Sequence, residues 1–209
     1  MGERPIIILG LGNIMMGDEG FGVHFIRWLA GRYRPLPGLE IIDGGTLGYV
    51  LLDTICRARH VIVIDCIRLV DTPGSLYRFD RKAMEAHLPP PRSAHEVKFS
   101  DVLCKAEMMG ECPGMTFLCV VPERIVDMDL KMTPAVQGRF LRMEEILMAE
   151  LATHFLFPER IEPNARPRAR GPQGDPSLEA TVEDLTEELP EGLPEIDICP
   201  FLHYTIPRG

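Results

Sequence analysis

Apolar and polar positions alternate between two periods along the first three quarters of the chain. Residues 6–10 (Ile6, Ile7, Ile8, Leu9, Gly10) form an unbroken apolar run. Such a run reads as a strand of a parallel sheet, covered on both faces. A loop follows with five glycines, two carboxylates and one asparagine between Gly10 and Gly22. Val23, Phe25, Ile26, Leu29 and Ala30 then recur at helical spacing and predict a helix over residues 20–32. Residues 39–42 are a short apolar strand ending in Asp43-Gly44-Gly45-Thr46. Val50, Leu51, Thr54 and Ile55 predict a second helix over 47–57, with Thr46 as its N-cap. Residues 60–66 are the clearest strand, rich in β-branched side chains and interrupted by an acid, Asp65, near its end. Residues 75–79 and 115–121 read as strands and 100–109 as a helix. Thr133-Pro134 opens a final helix whose apolar positions Val136, Phe140, Met143, Leu147 and Leu151 step by three and four.

Strands alternating with helices imply parallel order, right-handed crossovers and helices on both faces. The expected fold is α/β: a three-layer sandwich around a mostly parallel twisted sheet of about five strands. The domain is expected to span residues 1–157. Residues 158–209 are rich in proline and then acidic, and are expected to form a disordered tail.

Charge sharpens that division. The 209 residues carry a formal net charge of −9. Nine carboxylates and no Lys or Arg fall between Gly171 and Ile198, so the tail accounts for the imbalance. The remainder offers no basic patch for nucleic acid. Cys56, Cys66, Cys104, Cys112, Cys119 and Cys199 form no C-x-x-C pair, which argues against structural zinc. Cys66 and Cys119 sit in apolar runs and read as core thiols. Neither a signal peptide nor a membrane-spanning run is evident. These features point to a cytoplasmic protein with no membrane or nucleic-acid partner.

Three residues carry candidate chemistry. Glu19 follows the first strand, Asp65 ends the third, and His95 lies in a loop after Pro89-Pro90-Pro91. In an open α/β sheet the first two meet at the carboxyl edge, where ligands gather. Two carboxylates and an imidazole suit nickel or zinc with open coordination positions. Duller roles remain open: Glu19 as a solvated acid near a helix N-terminus, Asp65 as a turn cap, His95 as a surface histidine. Asp65 leans toward function, because an acid ending a buried strand costs free energy unless it is paired. Gly10-Leu11-Gly12 also begins like a dinucleotide fingerprint, with Asp43 placed for a ribose. Met15 stands where a third small residue belongs, and Asp18 and Glu19 would repel phosphate.

The longer pattern is more specific. Gly10-x-Gly12-Asn13, Gly17-Asp18-Glu19-Gly20-x-Gly22, Asp43-Gly44-Gly45-Thr46, Ile62-Val63-Ile64-Asp65, Ser93-x-His95 and Val121-Pro122-Glu123 occur in the order seen in hydrogenase maturation endopeptidases. The chain resembles that family over residues 6–151. The resemblance implies a hydrolase, an aspartic-type, nickel-dependent peptidase. It would remove the C-terminal extension of a nickel–iron hydrogenase large-subunit precursor after nickel insertion. It further implies that Glu19, Asp65 and His95 bind the nickel, either as the enzyme's own metal or as metal supplied by the substrate. Glu19 and Asp65 are the catalytic candidates, since no G-x-S-x-G elbow is present. A nucleotide-binding module and a non-proteolytic nickel chaperone are the competing readings.

Overall fold

The computed structural model describes residues 4–87 and 99–161. His95, the Pro89-Pro90-Pro91 run and the acidic tail therefore lie outside the described residues. The architecture is the expected one: a five-stranded, mostly parallel sheet between two helical layers. In chain order the strands are β1 (Ile6–Leu11), β2 (Leu39–Gly45), β3 (His60–Cys66), β4 (Leu76–Asp80) and β5 (Gly114–Val120). The helices are α1 (Phe21–Ala30), α2 (Leu52–Cys56), α3 (Arg81–His87), α4 (Phe99–Met108), α5 (Pro134–Gln137) and α6 (Phe140–Thr153). Across the sheet the order is β2-β1-β3-β5-β4. Only β4 runs antiparallel.

The pleat of each strand explains the layers. Successive side chains point to opposite faces. Ile7, Leu9, Val61, Val63, Phe117 and Cys119 pack with α2, α3 and α4. Their neighbours Ile6, Ile8, Ile62, Ile64, Leu118 and Val120 pack with α1 and α6. All six residues of β1 are buried, as the unbroken apolar run requires. On the α1 face Phe21 and Phe25 stack, and Phe140 meets both edge-on at 5.3 and 5.5 Å.

Several local expectations change. The connection from β3 to β4 carries no helix and is too short for a parallel crossover, so the chain reverses. On its way it crosses the end of β5: Ile67 N–H donates to Val120 O, and Val121 N–H to Ser75 O. The second helix is shorter than expected, a 3₁₀ turn at Tyr49–Leu51 followed by α2. Val50 is 72% exposed and does not join the core. Thr46 caps nothing there; Gly48 precedes the turn. The final helix breaks around Gly138 into α5 and α6, although Val136, Met143, Leu147 and Leu151 are buried together as the spacing predicts.

The described body continues past Phe157. Arg34 N–H donates to Glu159 O at 2.9 Å and Ile161 N–H to Arg32 O at 2.7 Å. Arg160 also approaches Glu144 at 3.7 Å. We propose that the folding unit extends past Phe157 and takes in residues 158–161. A chain cut after Ile161 should melt with the full-length protein. A cut after Phe157 should cost about 1 kcal/mol and lower Tm by roughly 2–4 °C. Calorimetry of the two truncations checks this.

Candidate active site at the carboxyl edge of the sheet

Four parallel strands end at one edge. The chain leaves β1 for β2 on one side and returns to β3 on the other, so β1 and β3 flank a topological switch point. Ligands of open α/β sheets collect there. Glu19 lies just after β1, in the 3₁₀ turn Gly17–Gly20, and Asp65 is the penultimate residue of β3.

The glycines shape this corner by letting backbone meet backbone. A Cβ on Gly22 would lie 2.2 Å from Ile64 O and 2.3 Å from Leu11 O. A Cβ on Gly12, at φ +129°, would lie 1.9 Å from Glu19 O. The start of α1 is thus pressed onto β1 and β3, and the loop is filled by its own chain. That use of glycine leaves no phosphate cradle at the fingerprint position. Asp43, the ribose candidate, instead pairs with Arg27 at 2.6 Å and accepts from Gly45 N–H at 3.1 Å.

Asp18 is the fully buried acid of the loop. Its Oδ1 accepts from Thr133 N–H at 2.6 Å. Its Oδ2 accepts from Glu123 N–H and Arg124 N–H, both at 2.9 Å, and from the Thr133 hydroxyl at 3.0 Å. Its carbonyl accepts from Cys66 Sγ at 2.8 Å. Thr133 stands at the N-cap of α5, but its hydroxyl makes no cap bond and serves Asp18. Gly17 N–H donates to Asp129 O at 2.6 Å and Asp18 N–H to Arg124 O at 3.2 Å. The loop after β1 is therefore sewn to the loop after β5.

With its neighbour anchored, Glu19 is held in place. Its Oε2 is buried and has no hydrogen-bond partner among the described residues. Burial pushes its carboxyl up; the Arg68 guanidinium opposes this and Asp127 adds to it. Asp65 is pushed up to about 7, chiefly by burial and further by the charge of Glu19. The Cys66 N–H donating to Asp65 Oδ1 at 2.7 Å pulls the other way. The structure thus brings Glu19 and Asp65 into one electrostatic unit. Nothing in the sequence pattern marked Arg68 or Asp127 as neighbours of Glu19. His24, one turn along α1, also has a buried, unpartnered Nε2.

This corner holds two acids whose carboxyls are pushed up, one of them with an unpartnered oxygen, and such a pair fits a cation or an acid–base role. An orphaned carboxylate oxygen beside a second, half-buried carboxylate matches the oxygen donors that the metal reading requires. The thiols nearby are poor nucleophiles. Burial raises both Cys66 and Cys119 far above an ordinary thiol, with Asp65 adding to each.

Two tests follow. Asp18→Asn turns an amide N–H toward backbone donors and should cost about 2–4 kcal/mol, while Thr133→Val should cost about 1 kcal/mol. Urea unfolding reads both. Asp65 has a native value near 7 against an ordinary 3.8, so the folded state holds its proton longer. Native stability should therefore fall as pH rises from about 4 to about 7 and then level off. Asp65→Asn should remove this slope in metal-free protein and gain on the order of 2–4 kcal/mol above pH 7. A parallel slope in both proteins would contradict it.

Comparison with known proteins adds the family context. A family model described as hydrogenase maturation protease matches residues 23–150. That stretch includes Asp65 and position 95; Glu19 precedes it. The chain is 32% identical over 147 residues to the hydrogenase 2 maturation protease of Escherichia coli, covering 69% of this chain and 89% of that one. It is 33% identical over 136 residues to the hydrogenase expression/formation protein HupD of Rhodobacter capsulatus, covering 64% of this chain and 65% of that one. The solved structure of the hydrogenase maturating endopeptidase HybD from E. coli superimposes with a TM-score of 0.69 at 30% identity, covering 75% of this chain and 97% of that one.

Proposed function

The chain belongs to the hydrogenase maturation proteases, and from that we propose that it is an endopeptidase acting on the large-subunit precursor of a nickel–iron hydrogenase. It removes the precursor's C-terminal extension once nickel has been inserted. Glu19, Asp65 and His95 recognise that nickel, which arrives as part of the substrate. The observation that carries this reading is the buried, unpartnered Oε2 of Glu19 in one unit with Asp65. An acid is held there at a cost that a cation would repay.

Nickel at this corner would fix the scissile segment against the carboxyl edge and favour negative charge beside it. The chain's own acids do the rest. Glu19 and Asp65 are the candidates to take a proton from the attacking water and return it to the leaving amine. Glu19 holds the second side of the corner, and Asp18 keeps Glu19 aimed there through its bonds to residues 123, 124 and 133.

The surface around the corner supports a macromolecular substrate. Met15, Val50, Val70, Val126, Met128 and Leu130 are exposed apolar residues. They lie in the segments that leave the carboxyl ends of β1, β2, β3 and β5, so the topology gathers them around the acids. Exposed apolar side chains rimming a polar centre suit a protein partner. No described helix is long and apolar enough to cross a membrane, and the five described cysteines are free. Both facts are compatible with the cytoplasmic placement we propose.

Incubation with nickel-loaded precursor, followed by intact mass measurement, tests the reading. The wild-type chain should release the C-terminal peptide and leave metal-free precursor whole. Asp65→Asn and His95→Ala should each slow release by roughly 100-fold or more. Wild-type rates for both variants would refute the site, and equal cleavage of metal-free precursor would refute nickel recognition. Nickel binding without cleavage would favour the chaperone reading.

A further inference from the structure

At the opposite edge of the sheet, where the strands begin, lies a second, partly buried polar cluster that the proposed protease does not use. His60 is the first residue of β3, about 17 Å from Asp65 at the rise of an extended chain. Glu150 lies in the last turn of α6 and His154, four positions on, is the residue that closes the helix. That end of the helix packs over the start of β3 and β5. The His60 and His154 rings are 4.3 Å apart between centroids. One ligand atom from each of His60, Glu150 and His154 can be chosen so that all lie within 4.8 Å of one another.

We propose that His60, Glu150 and His154 form a binding site for a zinc-class divalent cation, separate from the Glu19–Asp65 corner. Two imidazoles and one carboxylate are a recurrent zinc donor set, with a fourth position left for water. Imidazole donors also select borderline metals over magnesium or calcium. His154 Nε2 is buried with no hydrogen-bond partner among the described residues. A buried ring nitrogen without a partner calls for an explanation, and a cation supplies one.

The neighbours fit the role of outer supports. Arg78 grips Glu150 through both oxygens, at 2.8 and 3.0 Å, from the solvent side. Thr116 donates to Glu150 Oε1 at 2.7 Å and meets His60 Nε2 at 3.0 Å. Among the described residues Glu150 Oε2 accepts from Arg78 alone, which leaves a lone pair for a metal. Ligand protonation is favourable too. Burial holds His60 down to about 4, with His154 adding to it and Glu150 opposing. Burial also lowers His154, against the pull of Glu150. Both rings are therefore neutral at pH 7. Burial alone would raise Glu150, but the hydrogen bonds from Arg78 and Thr116 outweigh it and keep the carboxylate ionised. The Arg78 and Arg59 charges face the same cluster and oppose a cation, so the site binds less tightly than an all-neutral His₂Glu set.

A cation here would clamp the C-terminus of α6 to the first residue of β3, and its effect should appear as stability. The test uses the full-length chain with Glu19→Gln and Asp65→Asn, which removes the other acids from contention. After chelation, zinc is titrated in competition with a chromophoric chelator, and Tm is read with and without zinc. One equivalent should bind and raise Tm. Cobalt(II) should give tetrahedral d–d bands without a thiolate charge-transfer band. Adding His154→Ala to this background should weaken binding by roughly 100-fold and abolish the zinc-induced Tm shift. His154→Ala is the primary variant because His60 is more deeply packed. Absence of stoichiometric binding would overturn the proposal. So would unchanged binding after His154→Ala, or a thiolate band that assigns the metal to cysteine. The inference does not depend on protease activity, so failure of either one leaves the other standing.

Discussion

The structure depends on one buried carboxylate. Asp18 has no solvent contact and accepts hydrogen bonds from residues 123, 124 and 133. Those partners lie 105 to 115 residues away in sequence. A carboxylate is tolerated in such a place only when its lone pairs are occupied by fixed donors. Occupying them fixes the donors in turn. The loop after β1, the loop after β5 and the start of α5 thereby become one rigid corner, and Glu19 inherits its position from its neighbour.

The glycines and the buried acid work on the same corner from opposite sides. Gly22 lets α1 press onto Leu11 and Ile64, which sets how deep the helix sits. Asp18 then ties the free side of the loop to the segment that follows β5. Between them they leave Glu19 and Asp65 little access to water, and low access to water raises both carboxyls. The poised acids are thus a result of backbone packing, with the pressure of one acid on the other a smaller contribution.

Much of this was legible in the sequence. The strand at His60–Cys66 stands where its β-branched run placed it, and the apolar steps through Val136, Met143, Leu147 and Leu151 face the core as a periodic helix should. Glu19 and Asp65 meet because parallel strands end at a common edge, which the alternation of elements implies. What the pattern missed was non-local. Asp18 looked like a companion of Glu19, since its donors sit in a segment more than a hundred residues on. Thr133 looked like no more than the opening of a helix for the same reason: its short-range place was visible and its long-range partner was not. The reversal of β4 follows from a short connection, which strand propensity does not report. His95 lies outside the described residues.

The exposed apolar rim has a consequence for how such proteins diverge. Met15, Val50, Val70, Val126, Met128 and Leu130 ride on loops, while Asp18, Gly22 and the strand ends hold the acids from beneath. Loops tolerate substitution far better than the elements they join. A lineage can therefore redraw its partner preference by changing the rim while inheriting the chemistry untouched. Paralogues serving different assemblies would then be expected to differ at these six positions and agree underneath them.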